Sequence, residues 1–353
     1  MFAHARLMIL IVAYSLFAGA ASAQEASQQT QPGAGKILLD VVVTAKGGGP
    51  VGELQQQDFT VLDNNVPQKL SSFQAVTGRD APIGIVLVID AINATAVTVA
   101  TERDAIDKFL HEGDGYLAHP VAIEVVTDTG IQNIANFTND GYAQSAALQK
   151  SSIGLRDIGR SGAYWGATER LQMSLKGLSQ IVERYGPLPG RKLILWISPG
   201  WPLLNDINTA LSSAQEQQLF ESIVGLSTDL RRAGITLYGI DPIGAAESPL
   251  YALYYQQFVK GVSKPSQVHP GDVGLQVIAV QSGGLALNSG NDMTKFIEEC
   301  VADAASYYEI SFVPVPAARA DEYHSLEIKI DKPGLTARTR QGYYGQPAAT
   351  PGN

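Results

Sequence analysis

The sequence predicts an α/β protein: a doubly wound, mostly parallel sheet with flanking antiparallel β segments that form a small β domain. Three observations lead there. Ile83 to Ile89 is an almost wholly apolar run without alternation, the pattern of a strand buried on both faces. From about residue 80 to 305, strands of this kind alternate with helix-length segments, which implies crossover connections and a parallel sheet. On either side, residues 36–78 and 306–345 read as β alone, and pairing the two segments makes one small antiparallel domain.

In chain order, Arg6 precedes an unbroken apolar stretch from Leu7 to Tyr14, continued in mainly apolar residues to Ala21, and Ala21-Ser22-Ala23 is a small-x-small cleavage site. Residues 1–23 therefore read as a secretory signal peptide, short of the ~20 apolar residues of a membrane-spanning helix. No cysteine follows the run, which excludes lipid attachment there, and paired arginines are missing, which argues against twin-arginine export. A secreted or periplasmic destination is expected, with no transmembrane segment after cleavage. Residues 24–35 form a Gln/Ser/Pro/Gly linker and 346–353 a Pro/Gly-rich tail.

The N-terminal β segment places strands at Ile37–Thr44, Asp58–Leu62 and Lys69–Val76, separated by a glycine-rich turn and by Asp63-Asn64-Asn65. The α/β region continues from Ile83–Ile89 with a helix at Thr101–His111, strands at Val121–Thr127 and Ile131–Phe137, and a long helix within 162–185. It goes on with the strand Lys192–Ile197, a helix within 208–233, the strand Ile235–Ile240 and helices near 272–281 and 292–305. Residues 242–271 form a long loop carrying Tyr251, Tyr254 and Tyr255, of a length more often functional than idle. The closing strands are Tyr307–Val313, Tyr323–Ile330 and Leu335–Arg340.

Of the 353 residues, 45% are hydrophobic and 17% charged, enough for a sizeable core and unlike collagen-like, coiled-coil or polytopic membrane chains. The 25 Lys and Arg against 34 Asp and Glu give a formal charge of −9 with no basic stripe, so no nucleic-acid partner is expected. The single cysteine, Cys300, rules out an intramolecular disulfide and reads as a small buried hydrophobe on a helix face.

Two motif matches carry no chemistry. Gly47-Gly48-Gly49-Pro50-Val51-Gly52 satisfies G-x-G-x-x-G, but it lies between two β segments and no helix follows it. Gly159-Arg160-Ser161-Gly162-Ala163 approaches a hydrolase elbow, but it lacks the last glycine and an entering strand. His111, His119, His269 and His324 have no partner at metal-ligand spacing. With no nucleophile–base set, a non-enzymatic protein is expected.

The informative position is the carboxyl end of the first parallel strand, because open α/β sheets bind ligands there. Ile89-Asp90-Ala91-Ile92-Asn93-Ala94-Thr95 places an aspartate and small polar side chains at that end, oxygen donors of the kind a hard divalent cation takes. Apolar strand, Asp90 and following helix resemble the opening of a von Willebrand factor A-type domain, whose metal-ion-dependent adhesion site uses D-x-S-x-S. Further segments, "LPGRKLILWISPGWPLL", "ITLYGIDPIG", "QSGGLALNSGNDMTKFIEE", "YYEISFVP" and "GLTARTRQGYYG", are similar in the same order to those of acidobacterial-type von Willebrand factor A-related secreted proteins, over about residues 36–345.

The resemblance implies a von Willebrand A-like, Rossmann-type domain at 80–305 with β strands on both sides. The site departs from the family pattern. Asp90 matches the motif's aspartate, but the serine positions are Ile92 and Ala94, Ser161 is the best counterpart of the family threonine, and Ser198-Pro199-Gly200 stands where an aspartate is usual. The adhesion site is thus degenerate. A Mg²⁺ or Mn²⁺ ion would rest on Asp90 and Ser161 with Asn93 and Asp241 nearby, leaning on water.

Among the aromatics, Trp196 reads as core, and Trp201, on the loop after its strand, as a contact residue beside Tyr164-Trp165. The expected function is an exported adhesion-type module that binds a protein partner through loops at the carboxyl edge, with Asp90, Asn93, Ser161, Trp201 and Asp241 at the contact. The alternative is a structural cell-envelope assembly module that pairs through a β edge near 323–330 and has no ligand site.

Overall fold

The computed structural model describes residues 35–46, 48–78, 83–153, 163–202, 211–242, 254–288, 290 and 292–348. Its elements in chain order begin with β1 (Ile37–Ala45), β2 (Phe59–Asp63), β3 (Val66–Pro67) and β4 (Leu70–Thr77). There follow β5 (Ile83–Asp90), α1 (Ala96–His111), β6 (Tyr116–Thr127), β7 (Gly130–Asp140), α2 (Gly141–Lys150), α3 (Ala163–Tyr185), β8 (Arg191–Ile197), α4 (Ser213–Arg232) and β9 (Ile235–Ile240). The series closes with α5 (Leu275–Gln281), β10 (Ala286–Leu287), α6 (Met293–Ala302), β11 (Ser306–Phe312), β12 (Glu322–Ile330), β13 (Leu335–Arg338) and β14 (Gly342–Gly345).

The central sheet has the order β10-β9-β8-β5-β6-β7, parallel except for the β6–β7 pair. Strand β5 shows why it must lie inside: Ile83, Ile85, Leu87 and Ile89 enter one core, while Val86 and Val88 enter the other, so both faces are apolar. The first core receives Ile106 and Leu110 of α1, Leu148 of α2 and Ile297 and Cys300 of α6. The second receives Leu178 of α3, Ile223 of α4 and Leu275 of α5. Helices therefore cover both faces, and Cys300 is a buried hydrophobe whose thiol burial pushes up.

The N- and C-terminal β segments interleave into two further sheets, β13-β1-β11-β4 and β14-β12-β2-β3. Their shared core holds Leu39, Val41, Val61, Tyr308, Ile310 and Phe312. Asn64 and Asn65 form the β2–β3 turn with φ of 48° and 66°, the left-handed pair a two-residue hairpin requires and asparagine tolerates. Strand β12, whose residues 323–330 are expected as an edge, stands between β14 and β2 in the sheet order, pairing with β14 over Glu322–Ser325 and with β2 over Leu326–Ile330.

Three further differences have local causes. Helix α1 starts before Thr101 because the Thr95 hydroxyl accepts the Thr98 N–H and caps it. Helix α2, absent from the sequence reading, is capped by Asp140, which accepts the Ala143 N–H, and has only a short apolar stripe. The last strand breaks into β13 and β14, with Thr339 and Arg340 turning the chain between them. No helix among the described residues is long and apolar enough to cross a membrane.

Buried charges tie the layers together. Arg338 of β13 reaches Asp303, which also accepts the Tyr238 hydroxyl of β9 at 2.7 Å. Arg191 of β8 donates to the Asp303 carbonyl at 2.9 Å, lies 3.6 Å from Asp40 of β1 and stacks on Tyr307 of β11. Asp303 thus joins the small sheets to the central one, and its removal leaves Arg338 without a counter-charge. Asp303→Ala is expected to lower the unfolding free energy by about 3–5 kcal/mol in urea denaturation. A loss below about 1 kcal/mol would show that the joint does not depend on it.

Candidate functional site

Strand order locates the site. The chain leaves β5 toward β6 and β7, then returns to the other side of β5 for β8, β9 and β10, so the order reverses between β5 and β8. Such a reversal opens a crevice at the carboxyl ends of the two strands. Asp90 ends β5 and Ser198 follows β8, which places them on its two lips.

Asp90 is fully buried and its carboxylate accepts five hydrogen bonds. Oδ1 takes the N–H groups of Ile92 and Asn93, both at 3.0 Å. Oδ2 takes Asn93 Nδ2 at 2.8 Å, Trp196 Nε1 at 3.0 Å and the Ser198 hydroxyl at 2.8 Å. A carboxylate offers about four lone-pair positions, so this one is saturated. Asp90 accordingly shapes the loop it starts: the two backbone N–H bonds wind residues 91–93 into a tight turn that delivers Thr95 to the start of α1.

Asn93 links the turn to α3 through Nδ2 to Ser174 Oγ at 2.9 Å, while its own Oδ1 is buried without a partner. Across the crevice, Gly200 takes a φ of +104°, donates its N–H to Ser198 Oγ and turns the chain so that Trp201 folds back. Trp201 is 3% exposed and meets Trp196 edge to face at 5.3 Å, so this side chain, expected at a contact surface, is turned into the core. Asp241 ends β9 half-buried, its N–H donating to the Leu287 carbonyl. Ser161 lies outside the described residues, as does Tyr251, and the side chains of Tyr164 and Trp165 are not among those described. From the tyrosine-rich loop, Tyr254 is buried and donates to Gln276 of α5 at 2.6 Å.

The donor set does not match a hard cation. Both Asp90 oxygens are taken by N–H and O–H donors, and Ile92 and Ala94 put buried apolar side chains where hydroxyls would stand. Among the described residues, no three His, Cys, Asp or Glu side chains gather where a metal could hold them.

One residue here was not visible in the sequence. Glu102 of α1 is fully buried, both its carboxylate oxygens lack partners, and its pKa is raised well above the ordinary 4.5, first by burial and then by the charges of Asp90 and Asp241. The position reads as an ordinary polar residue of a helix, and only the packed structure brings it under the two strand-end acids. Val97, 77% exposed at the start of α1, is the largest apolar exposure on this edge among the described residues.

Asp90→Ala strands five donors, three of them in fully buried bonds, and is expected to destabilise by about 3–5 kcal/mol in urea denaturation. Little change would mean that water replaces the carboxylate. For Glu102 the sign follows from its raised folded pKa: stability is fully present below 4.5, the unfolded value, and is lost as pH rises through the folded one. Glu102→Gln should therefore match the wild type near pH 4.5 and exceed it increasingly toward pH 8 in urea denaturation. Parallel pH profiles would overturn that account.

No protein-family model and no curated protein matches this sequence. Among solved structures, the chain is similar to one described as the crystal structure of the SpRpn10 VWA domain, at 11% identity and a TM-score of 0.30, over 63% of this chain and 97% of that chain.

Proposed function

We propose that this protein is an exported, non-enzymatic adhesion-type module that binds a protein partner through the carboxyl-edge loops of its central sheet, without a metal. The observation that carries the reading is the saturated carboxylate of Asp90 at the topological switch point. A strand-end aspartate that elsewhere would hold a cation is used here to fix a loop, so the edge is pre-shaped before any ligand arrives. A rigid edge loses little conformational freedom on binding, which favours recognition of a folded surface.

In this reading the site residues divide by depth. Asp90 and Trp201 form the floor, locked to Trp196 and Ser198, while Asn93 and Asp241 are half-buried nearer the rim. The contact itself falls to the loop tops, where Thr95 is exposed and Val97 projects an apolar side chain. The resemblance of the sequence segments to von Willebrand factor A-related secreted proteins and the signal-like residues 1–23 support the interaction role and a secreted or periplasmic location. Mg²⁺ or Mn²⁺ has no part in this mode.

The test is capture from an envelope and secreted-protein extract by the immobilised protein, with and without EDTA, beside a Thr95→Arg/Val97→Asp double variant. A partner retained in EDTA and lost on the double variant is expected. Release by EDTA, together with calorimetric Mg²⁺ binding abolished by Asp90→Ala, would overturn the metal-free mode. Undiminished capture by the double variant would overturn the choice of edge.

A further inference from the structure

At the opposite edge of the central sheet from Asp90, β6 begins beside the end of β7, with Tyr116 facing Asp140. An open groove of about 490 Å³ lies there, between the turn after α1 and the start of α2. Two tyrosines line it, Tyr116 at 55% exposed and Tyr142 at 53%. Tyrosine carries a large apolar ring, so two of them left half in water in one groove favour a contact that covers them.

The groove is rigidly built. The Tyr142 ring lies so close to the backbone of Gly115 that a Cβ there would come within 2.5 Å of it, and Gly115 has a φ of +75°. The His111 ring at the end of α1 meets Tyr142 edge to face at 5.2 Å. Beneath, Asn139 donates to the Leu117 carbonyl at 2.8 Å and the Thr138 hydroxyl accepts the Asp140 N–H at 3.1 Å, which fixes the polar floor.

Its charge is of one sign. Asp114 and Asp140 both line the groove, and neither makes an ion pair among the described residues. Asp140 gives one oxygen to the Ala143 N–H at 2.9 Å, leaving the other for a ligand, and Asp114 sits on the turn with a φ of 57°. Acids continue beyond the groove: Glu112 is raised to about 7, first by its hydrogen bond with Glu298, then by burial and by the charges of Glu298 and Asp292. A bare metal ion does not match this lining, because no three acids gather to hold one among the described residues and tyrosine rings offer it no carboxylate. A flat organic cation matches both the rings and the acids.

We propose that this groove takes an arginine side chain from a basic peptide segment of a partner, its guanidinium stacked on Tyr142 and hydrogen-bonded to Asp114 and Asp140, with Tyr116 covering its stem. Arginine suits the groove better than lysine, because its planar fork stacks on an aromatic ring while bonding carboxylates. The site is separate from the carboxyl-edge surface and does not depend on it.

The experiment is fluorescence anisotropy of a labelled peptide of alternating glycine and arginine, titrated with the full chain at neutral pH and low salt. Matched peptides carry lysine, or citrulline as the neutral isostere, in place of arginine. The arginine peptide should bind, the lysine peptide more weakly and the citrulline peptide not at all. Asp114→Asn keeps a residue that tolerates the left-handed turn, and Asp140→Ser keeps a cap for α2, so the double variant removes charge with the fold intact. It should weaken arginine-peptide binding by about tenfold or more, and Tyr142→Leu should weaken it by roughly fivefold. Should Tyr142→Leu not fold, Tyr116→Leu gives the same reading. Citrulline binding as tightly as arginine overturns the proposal, and lysine binding as tightly overturns the stacking. Undiminished binding by the variants would show only diffuse attraction to a chain of net charge −9, and overturns the groove.

Discussion

A saturated carboxylate at the end of β5 is the constraint on which the carboxyl edge of this protein depends. Asp90 collects donors from its own loop, from the strand beside it and from the residue after that strand. A buried charge is tolerable only when hydrogen-bonded this fully, and the requirement works in both directions. The carboxylate needs Trp196 and Ser198 where they are, and the crevice between β5 and β8 therefore has one width. The Gly200 turn and the Trp196–Trp201 contact build outward from that fixed point.

The same logic recurs where layers meet. Glu124 on β6 accepts from Arg184 at 2.7 Å, Tyr185 at 2.5 Å and Asn133 at 3.0 Å, which pins α3 and β7 against the sheet. In the small β sheets, Asp63 accepts from Tyr343 at 2.7 Å and lies 2.9 Å from His324, so β2, β12 and β14 share one polar node inside an apolar core. Apolar burial makes these layers collapse, but it is tolerant of register. Directional bonds to a buried acid are not, and each node selects one register for the elements that meet there.

What was legible in the sequence follows from this division. Unbroken apolar runs such as Ile83 to Ile89 reveal a doubly covered sheet, because burial on both faces removes the alternation, and the position of Asp90 at a strand end follows from the same run. The β segments read correctly as strands because Leu326, Ile328 and Ile330 alternate with charges. Residue roles were harder to see. Trp196 bonds Asp90 across 106 positions of chain, and nothing local marks that partnership. Trp201 reads as a loop residue until Gly200 turns it inward. Glu102 and Arg340 look like ordinary exposed charges, since a sequence shows the charge of a side chain but not what stands opposite it.

That last pair separates two ways of having no partner. An unpaired buried glutamic acid has an escape: it holds its proton, becomes neutral and ceases to require a counter-charge, which is what burial and the charges of Asp90 and Asp241 drive Glu102 to do. Arginine has no such escape near neutral pH, even where burial has brought its pKa down to about 10. An orphaned acid can thus be a feature of a folded protein that is complete in itself, with its burden expressed as pH dependence. The Arg340 guanidinium is a different case, because it cannot discharge and the pull of Asp40, larger than the push of Arg231, only partly offsets its burial.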